Sequence, residues 1–229
     1  MRIIFYMNKK YVIIDLCGTL YSSNTTFEFL DYVFAKNLKY HLFKFFFKNI
    51  LGKSINKIIT YFFSTDLLRI LAIRFLKGFS REEVEHLVDE YYYNILQYKK
   101  QHNVIELVDS LRTKEYELII VSATLDCITK KVAQELNIYQ YYSSELFYDK
   151  ENRCLGKIKY DLLGKKLDFL LDKGFNPPFE IVISDNISDL KLMQKALLVY
   201  VIIPFKLRKN GTIYYYQKVL LILKHIMYN

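Results

Sequence analysis

The stretch that decides the fold is YVIIDLCGTL, from Tyr11 to Leu20. It opens with a short apolar run, rich in β-branched residues, which ends at an acid, Asp15. Gly18 follows three residues later and marks a loop. A run of this kind predicts a buried strand, and the acid after it is delivered into the loop at the end of that strand.

Three later stretches have the same form and extend the pattern to a sheet. They are LIIVS (Leu118–Ser122), EIVISD (Glu180–Asp185) and LVYVII (Leu198–Ile203). Four buried strands that each end near polar residues indicate a parallel sheet. Ligands of such sheets bind at the carboxyl ends of the strands, so we expect Asp15, Ser122 and Asp185 to converge on one site.

Helical patterns alternate with the later strands, over Asp126–Leu136, Lys165–Asp172 and Ser188–Ala196. Strands that alternate with helices predict an α/β fold with a doubly wound, Rossmann-like parallel sheet. Between the second and third strand runs, Ser143–Ile158 has a polar centre flanked by apolar stretches, which predicts a hairpin or flap.

The region between the first two strand runs has a different character. It contains three long helical segments, Thr26–Phe47, Ile55–Lys77 and Arg81–Lys100, and no comparable strand run. Ser80 and Glu83 have the spacing of a capping box at the start of the third segment. We therefore predict an inserted helical cap over residues 24–103 and an α/β core formed by residues 1–23 and 104–229.

Composition limits the partners and the compartment. The chain has 229 residues, 52% of them hydrophobic and 25% charged, which is enough to bury a core with an insert. Its formal net charge is +9. Lys, Ile, Asn, Tyr and Phe are enriched together, as an AT-rich coding sequence would produce, so we expect no nucleic-acid partner. Cys17, Cys127 and Cys154 form no CxxC pair, which argues against a disulfide framework or a zinc site and fits a reducing cytoplasm.

Membrane attachment is not favoured by the sequence. No window reaches the ~18 uninterrupted apolar residues of a membrane span, and the N-terminal stretch lacks the cleavage site of a signal peptide. The C-terminal stretch YYYQKVLLILKHIMY (Tyr214–Tyr228) has the pattern of an amphipathic helix. We expect this helix to pack on the core of a cytoplasmic protein, with contact to a membrane surface as the alternative.

The segment Asp15-Leu16-Cys17-Gly18-Thr19-Leu20 resembles the first signature of the haloacid dehalogenase superfamily, hhhhDxDGT(L/V), at four of its five defining positions. Ser122 looks like the second signature, Lys165 or Lys166 like the third, and SDNISD (Ser184–Asp189) like the fourth, (G/S)DxxxD. The four occur in the family's order, and the resemblance spans Tyr11–Met193. The helical insert after DLCGTL is most similar to the branch that includes phosphoserine phosphatase.

The resemblance implies a Mg²⁺-dependent phosphohydrolase for a small phosphorylated molecule. Asp15 would be the nucleophile and would form an aspartyl-phosphate. The ligands of Mg²⁺ would be Asp15, the backbone carbonyl of Cys17 and Asp185, with Asp189 as a further ligand or a nearby acceptor. One lysine would offset the negative charge, and the family's spacing slightly favours Lys166 over Lys165. The phosphate-binding set implied by the resemblance is Gly18, Thr19, Ser122, Ala123 and Lys166.

Cys17 departs from the family pattern, which has a second Asp two residues after the nucleophile. That Asp donates a proton to the leaving oxygen and later activates water. A thiol is a poor replacement for it, and general acid–base help is typically worth ~10²–10⁴-fold in rate. Three interpretations stay open: a hydrolase with a good leaving group or a proton donor from elsewhere, a phosphotransferase, and a weakly catalytic phosphate-binding partner protein. Retention of Asp15, Ser122, Asp185 and Asp189 favours retained chemistry over its loss, and we prefer the first interpretation.

Other catalytic classes have less support. A thiol phosphatase needs an Arg in its phosphate loop, and no Arg lies near Cys17 in the sequence. The four histidines lie outside the strand-end motifs, which leaves a Cys–His mechanism without local evidence. No Gly-rich phosphate loop is present. The substrate's identity and the oligomeric state do not follow from the sequence.

Overall fold

The computed structural model describes residues 9–48, 66–112, 114, 116–203 and 214–216. Within them, seven strands form one sheet in the order β4-β3-β2-β1-β5-β6-β7. Neighbours from β3 to β6 run parallel, whereas β4 and β7 pair antiparallel at the two edges. The strands are β1 (Tyr11–Ile14), β2 (Glu117–Leu125), β3 (Gln140–Tyr148), β4 (Cys154–Tyr160), β5 (Phe179–Ser184), β6 (Ala196–Val201) and β7 (Tyr214–Tyr216).

The four strands predicted from the sequence are confirmed as β1, β2, β5 and β6. Strand β1 lies between β2 and β5, with Val12 opposite both Leu118 and Ile181. Both edges of this central strand are therefore hydrogen-bonded, and buried side chains cover both of its faces, which explains its continuous apolar run. The predicted α/β fold with a parallel, doubly wound sheet is confirmed.

Eight α-helices lie in the described part of the chain, four of them between β1 and α5, the helix that leads into β2. They are α1 (Thr25–Val33), α2 (Leu38–Lys48), α3 (Leu67–Ile73), α4 (Arg81–Asn94), α5 (His102–Arg112), α6 (Asp126–Glu135), α7 (Lys166–Asp172) and α8 (Leu190–Met193). Short 3₁₀ segments cover Arg74–Leu76, Leu96–Lys99 and Ile187–Asp189.

The first predicted cap helix, Thr26–Phe47, is wrong as a single element. It divides into α1 and α2 because Asn37 caps a new helix: its side-chain oxygen accepts a hydrogen bond from Tyr40 N at 3.0 Å, and its carbonyl accepts one from His41 N at 3.0 Å. Asn competes well for the first position of a helix, so it starts a new helix here.

Three other predicted helices are shorter than expected. Helix α3 begins only after Asp66, whose carboxylate accepts a hydrogen bond from Arg69 N at 2.9 Å, and residues 55–65 of that prediction lie outside the described part. The third cap segment changes from α to 3₁₀ geometry after Asn94. In the core, the helix predicted over Ser188–Ala196 ends at Met193, because Ala196 already belongs to β6.

Two local predictions are confirmed. Ser80 and Glu83 form the capping box of α4, with Glu83 N donating to Ser80 Oγ at 3.1 Å and Ser80 N donating to Glu83 Oε2 at 2.6 Å. The hairpin exists as β3 and β4, and the Asp149 carboxylate accepts hydrogen bonds from two backbone amides in its turn.

The C-terminal stretch differs from its prediction where it can be compared. Residues Tyr214–Tyr216, expected to begin a helix, form β7 against β6, and residues 217–228 lie outside the described part. Edge pairing explains the difference, since the open side of β6 offers backbone hydrogen bonds to an extended chain. In the described residues no helix is both long and apolar enough to cross a bilayer.

Buried side chains form a layer on each face of the sheet. Val12 and Ile14 point to one face and share a cluster with Phe29 and Tyr91 of the helical segments. Ile13 points to the other face, where the cluster includes Leu170 of α7. The helical segments thus pack directly on the sheet, while the domain limits at residues 24 and 103 stay a prediction.

Candidate active site

The carboxyl ends of β1, β2 and β5 open on one cavity of about 350 Å³. Asp15, Ser122 and Asp185 line it, and Lys166 from the start of α7 joins them. Parallel strands place their last residues at the same edge of the sheet, which is why residues more than a hundred positions apart meet here.

Lys166 connects two carboxylates in the floor of this cavity. Its Nζ donates to Asp15 Oδ1 at 2.6 Å and to Asp189 Oδ2 at 2.7 Å. Ser184 Oγ donates to the same Asp189 oxygen at 2.7 Å. Lys165 is the exposed N-cap of α7 and does not line the cavity. Of the two lysines left open by the sequence, the structure brings Lys166 to the site.

Burial and neighbouring charges shift the pKa values of Asp15 and Lys166 in opposite directions. Burial raises the pKa of Asp15 above its usual value, and the Lys166 ammonium works against that rise. For Lys166, burial alone would lower the pKa, but the Asp15 and Asp189 carboxylates raise it. Lys166 therefore stays charged and compensates the negative charge of the acids.

Asp185 lies against Gly18 and Thr19 of the first loop. Gly18 has φ +74°, and a Cβ at this position would lie 2.0 Å from Asp185 Oδ2, so only glycine fits. The Thr19 hydroxyl accepts a hydrogen bond from Asp185 N at 3.0 Å and lies 3.1 Å from Asp185 Oδ1 and 3.4 Å from Asp15 Oδ2. Burial, followed by the charge of Asp15, raises the pKa of Asp185 to about 7.

The carboxylate oxygens of Asp15 and Asp185 beside Thr19 suit Mg²⁺ as ligands. In the described part of the chain, no group of three or more His, Cys, Asp or Glu side chains is arranged to hold a metal. However, Mg²⁺ commonly takes only one or two carboxylates and keeps several waters. Asp15 and Asp185 approach the same Thr19 hydroxyl, and their mutual repulsion is the kind that a cation relieves. The Asp189 oxygen named above is already bonded to Lys166 and Ser184, while its Oδ1 is buried without a hydrogen-bond partner among the described residues.

Cys17 belongs to a chain of hydroxyl groups. Its Sγ lies 2.8 Å from Thr25 Oγ1, which is 2.6 Å from Thr124 Oγ1. The Thr26 hydroxyl also reaches Thr124, at 3.0 Å. Burial, and after it the charge of Asp15, raises the pKa of the Cys17 thiol. Cys17 is therefore a neutral, hydrogen-bonded thiol at neutral pH.

Ser122 and Ala123 lie at the bend of β2 and line the same cavity. Ser122 is 1% exposed, and its Oγ accepts a hydrogen bond from Thr124 N at 3.3 Å. The Ala123 carbonyl accepts hydrogen bonds from Arg69 at 2.5 Å and from Ser144 Oγ at 2.9 Å. The backbone beside Ser122 is thereby fixed from both the helical segments and the hairpin.

Sequence reasoning missed Arg69. It lines the cavity, is 5% exposed, and pairs with both carboxylate oxygens of Asp161 at 2.5 Å. Its Nε is buried without a hydrogen-bond partner among the described residues. The available signal was a lone cation within LLRILAI, since a buried Arg almost always serves a carboxylate or a ligand.

Size alone would select a different cavity. One of about 530 Å³ lies between Arg81, Asp126 and the hairpin, and it contains none of the residues predicted for the site. The larger cavity also contains ionisable groups with raised pKa values, Asp126 and Cys127. The smaller cavity differs because it contains a buried ammonium, Lys166, bonded to two carboxylates, the kind of charge arrangement that marks a reactive site.

Comparisons with known proteins show the family and the fold of the chain. Residues 12–194 match the family model described as haloacid dehalogenase-like hydrolase. No curated protein matches the chain at a significant level. A protein of unknown function from Bordetella pertussis Tohama I has a similar structure, with a TM-score of 0.61 and 13% identity over 82% of this chain and 88% of that one.

Two further solved structures show the same fold. A substrate-bound phosphoserine phosphatase has a TM-score of 0.56 at 16% identity, over 83% of this chain and 84% of its own. A phosphoserine phosphohydrolase-like protein from Francisella tularensis subsp. tularensis SCHU S4 has a TM-score of 0.51 at 20% identity, over 83% of this chain and 85% of its own.

Proposed function

We propose, from the premise that this chain belongs to the haloacid dehalogenase-like hydrolase family, that it is a phosphohydrolase acting on small phosphorylated molecules through Asp15. The observation that carries the proposal is the buried Lys166 ammonium between Asp15 and Asp189, beside Ser122 in one cavity. Such a charge arrangement is suited to a carboxylate that must approach an anionic phosphoryl group.

The proposed reaction has two steps. In the first, an oxygen of Asp15 attacks phosphorus, the bond from phosphorus to the ester oxygen breaks, and the leaving oxygen takes a proton from solvent water or from the Cys17 thiol. In the second, water attacks the aspartyl-phosphate, which releases inorganic phosphate and restores the Asp15 carboxylate. Lys166 and Ser122 line the same cavity as Asp15, which supports a role for both in stabilising the phosphoryl oxygens during the two steps.

Mg²⁺ is the metal that these oxygen ligands fit, and Asp15, the backbone carbonyl of Cys17 and Asp185 would hold it. When bound, it would neutralise charge on the phosphoryl oxygens. The bonds of Asp189 to Lys166 and Ser184 support a role in positioning Lys166 more than one as a direct ligand.

Substrate size is limited by the cavity of about 350 Å³. Away from Asp15 its wall includes Ser23, Asn24, Phe27 and Arg69, a mixture of polar groups with one aromatic ring. The fold is shared with phosphoserine phosphatases, which supports a small phosphate monoester as the substrate class.

Cys17 favours a second candidate function. A thiol with a raised pKa is a weak proton donor to the leaving oxygen, and while it stays neutral it cannot accept the proton of the water that must be activated in the second step. The aspartyl-phosphate would then persist, which suits transfer of the phosphoryl group to an acceptor, or phosphate binding by a weakly catalytic partner protein.

The experiment that tests the proposal compares wild type, Asp15→Asn and Cys17→Asp on a panel of phosphate esters and an aryl phosphate in Mg²⁺. Turnover by wild type that is lost in Asp15→Asn supports the phosphohydrolase. Turnover by Cys17→Asp alone would instead assign the natural protein to the transfer or binding function. Equal turnover by wild type and Asp15→Asn contradicts the proposal.

A further inference from the structure

Helix α2 is fixed to the rest of the protein by one of its faces. Tyr40 is 1% exposed, donates a hydrogen bond to Asp31 Oδ1 at 2.8 Å, and packs edge-on against Phe75 at a centroid distance of 5.2 Å. Lys44 pairs with the other Asp31 oxygen at 2.6 Å. The inner face of α2 therefore already has its partners.

The outer face of α2 is apolar and exposed. Leu38, Leu42, Phe45 and Phe46 are 72%, 49%, 67% and 65% exposed. Leu42 lies four residues after Leu38, Phe45 lies three residues after Leu42, and Phe46 directly follows Phe45. At these spacings the four side chains form one stripe along the helix. The rings of Phe45 and Phe46 contact each other at 5.9 Å. Four large apolar side chains that are exposed in one stripe form a continuous patch. Single apolar residues scattered over a surface form no such patch.

Positive charge surrounds this stripe. Helix α2 contains no acidic residue, and Lys36 and Lys39 beside the stripe are exposed. In the sequence, no Asp or Glu occurs between Asp31 and Asp66. An apolar stripe bordered by lysines is complementary to a surface that has an apolar interior and negatively charged groups on its outside. The stripe would contact the interior, and the lysines would contact the negative charges.

We propose that this outer face of α2 binds the surface of an anionic membrane. Leu38, Leu42 and the two phenylalanines would enter the boundary between head groups and acyl chains, and the lysines would contact lipid phosphates. A helix of eleven residues is too short to span a bilayer, so α2 would lie in the interfacial plane.

A second copy of the chain is a poorer occupant of the same face. In a two-fold symmetric contact the stripe of one copy faces the stripe of the other, so each copy brings its own lysines to the same interface. Like charges across such a contact are destabilising, whereas anionic lipid neutralises them.

The test is co-sedimentation of the full chain with vesicles of phosphatidylcholine alone and of phosphatidylcholine with phosphatidylglycerol. We expect wild type to bind the anionic vesicles and to be released by salt, since head-group attraction is screened. The triple variant Leu42→Ser, Phe45→Ser, Phe46→Ser should lose about tenfold in bound fraction.

The matched control is the triple variant Tyr98→Ser, Tyr139→Ser, Leu197→Ser. These residues are 77%, 92% and 57% exposed but lie on other elements, and this variant should bind anionic vesicles like wild type. All six positions are exposed, and melting temperatures check that each variant folds. Failure of wild type to bind anionic vesicles, or equal losses in both triple variants, overturns the proposal. Concentration-dependent dimerisation without vesicle binding, abolished by the α2 variant, overturns it in favour of an interface between copies.

Discussion

Cys17 is the single residue on which the rate of the proposed reaction most depends. It follows the nucleophile by two positions and is linked to the Thr25 hydroxyl at 2.8 Å. Burial keeps it a thiol, because its raised pKa lies further from neutral pH than the ordinary value. The chain therefore lacks the family's carboxylate both for the step that needs an acid and for the step that needs a base.

Restoring that carboxylate should accelerate turnover. We expect Cys17→Asp to raise the rate of phosphate ester hydrolysis by ~10²–10⁴-fold, the usual worth of general acid–base catalysis. Steady-state release of inorganic phosphate measures this, with Cys17→Ser as the control that keeps a small polar group without a carboxylate. A Cys17→Asp variant no faster than wild type would mean that another group already serves as the acid and base.

Lys165 and Lys166 are adjacent in the sequence and provide a test variant and its matched control. Lys166 is buried between two carboxylates, whereas Lys165 is exposed. We expect Lys166→Met to lower turnover at least ~10²-fold, because it removes the charge beside the phosphoryl site. Lys165→Met should leave turnover unchanged. The comparison uses kcat for both variants, together with circular dichroism to check their fold; a larger loss in Lys165→Met would contradict the placement of the site.

At the scale of elements, caps decide where the helical segments begin. Asn37, Asp66 and Ser80 each accept hydrogen bonds from backbone amides in a first helical turn. Each of them satisfies an amide that has no partner inside its own helix. The breaks in the helical region thus have local chemical causes.

The capping box of α4 gives a stability prediction. Ser80→Ala should lower the free energy of unfolding by about 1 kcal/mol, as is usual for loss of an N-cap. Urea denaturation measures the change. A double-mutant cycle with Glu83→Ala should show coupling between the two sites, and additive effects would contradict a cooperative box.

The same box predicts a pH dependence. The hydrogen bond from Ser80 N lowers the pKa of Glu83 below its ordinary value of 4.5. A group with a lowered pKa in the folded state stabilises the protein above its unfolded pKa, and this stabilisation is lost as pH falls through the folded value. Glu83→Gln should therefore be less stable than wild type at neutral pH and equally stable at a pH well below 4.5. A difference independent of pH would contradict this origin.

At the scale of the whole molecule, one ion pair connects the helical segments to the core at the active site. Arg69 of α3 pairs with Asp161, which also accepts hydrogen bonds from Ser144 Oγ at 3.2 Å and Leu163 N at 2.9 Å. Arg69 additionally binds the Ala123 carbonyl. The position of α3 and the end of β2 are thus coupled.

Breaking this pair should cost more than breaking an exposed one. Arg69→Met should lower the free energy of unfolding by about 3 kcal/mol, because it leaves the Asp161 carboxylate partly buried and unpaired. The control is Lys130→Met, which removes an exposed pair with Glu85 between α6 and α4 and should cost below about 1 kcal/mol. Chemical denaturation of both variants measures the difference; equal costs would contradict the special role of Arg69.

The sequence by itself determined four strands of the sheet, β1, β2, β5 and β6, and predicted which residues would meet at their carboxyl ends. Apolar runs that each end in a polar residue predict buried parallel strands, because hydrophobic periodicity and turn chemistry are local properties of the sequence. Asp15, Ser122 and Asp185 therefore could be placed at one edge without coordinates. The hairpin and the capping box followed from equally local signals.

Only the tertiary structure decided between Lys165 and Lys166, because the choice depends on which side of the first turn of α7 faces Asp15. It also revealed the pairing of Arg69 with Asp161, since partners 92 residues apart leave no local pattern. The two faces of α2 are a third case. Seven of its eleven residues are Leu, Tyr or Phe, and only packing shows that Tyr40 is buried while Phe45 and Phe46 are exposed. Burial depends on the neighbours that the fold supplies, and no window of sequence contains them.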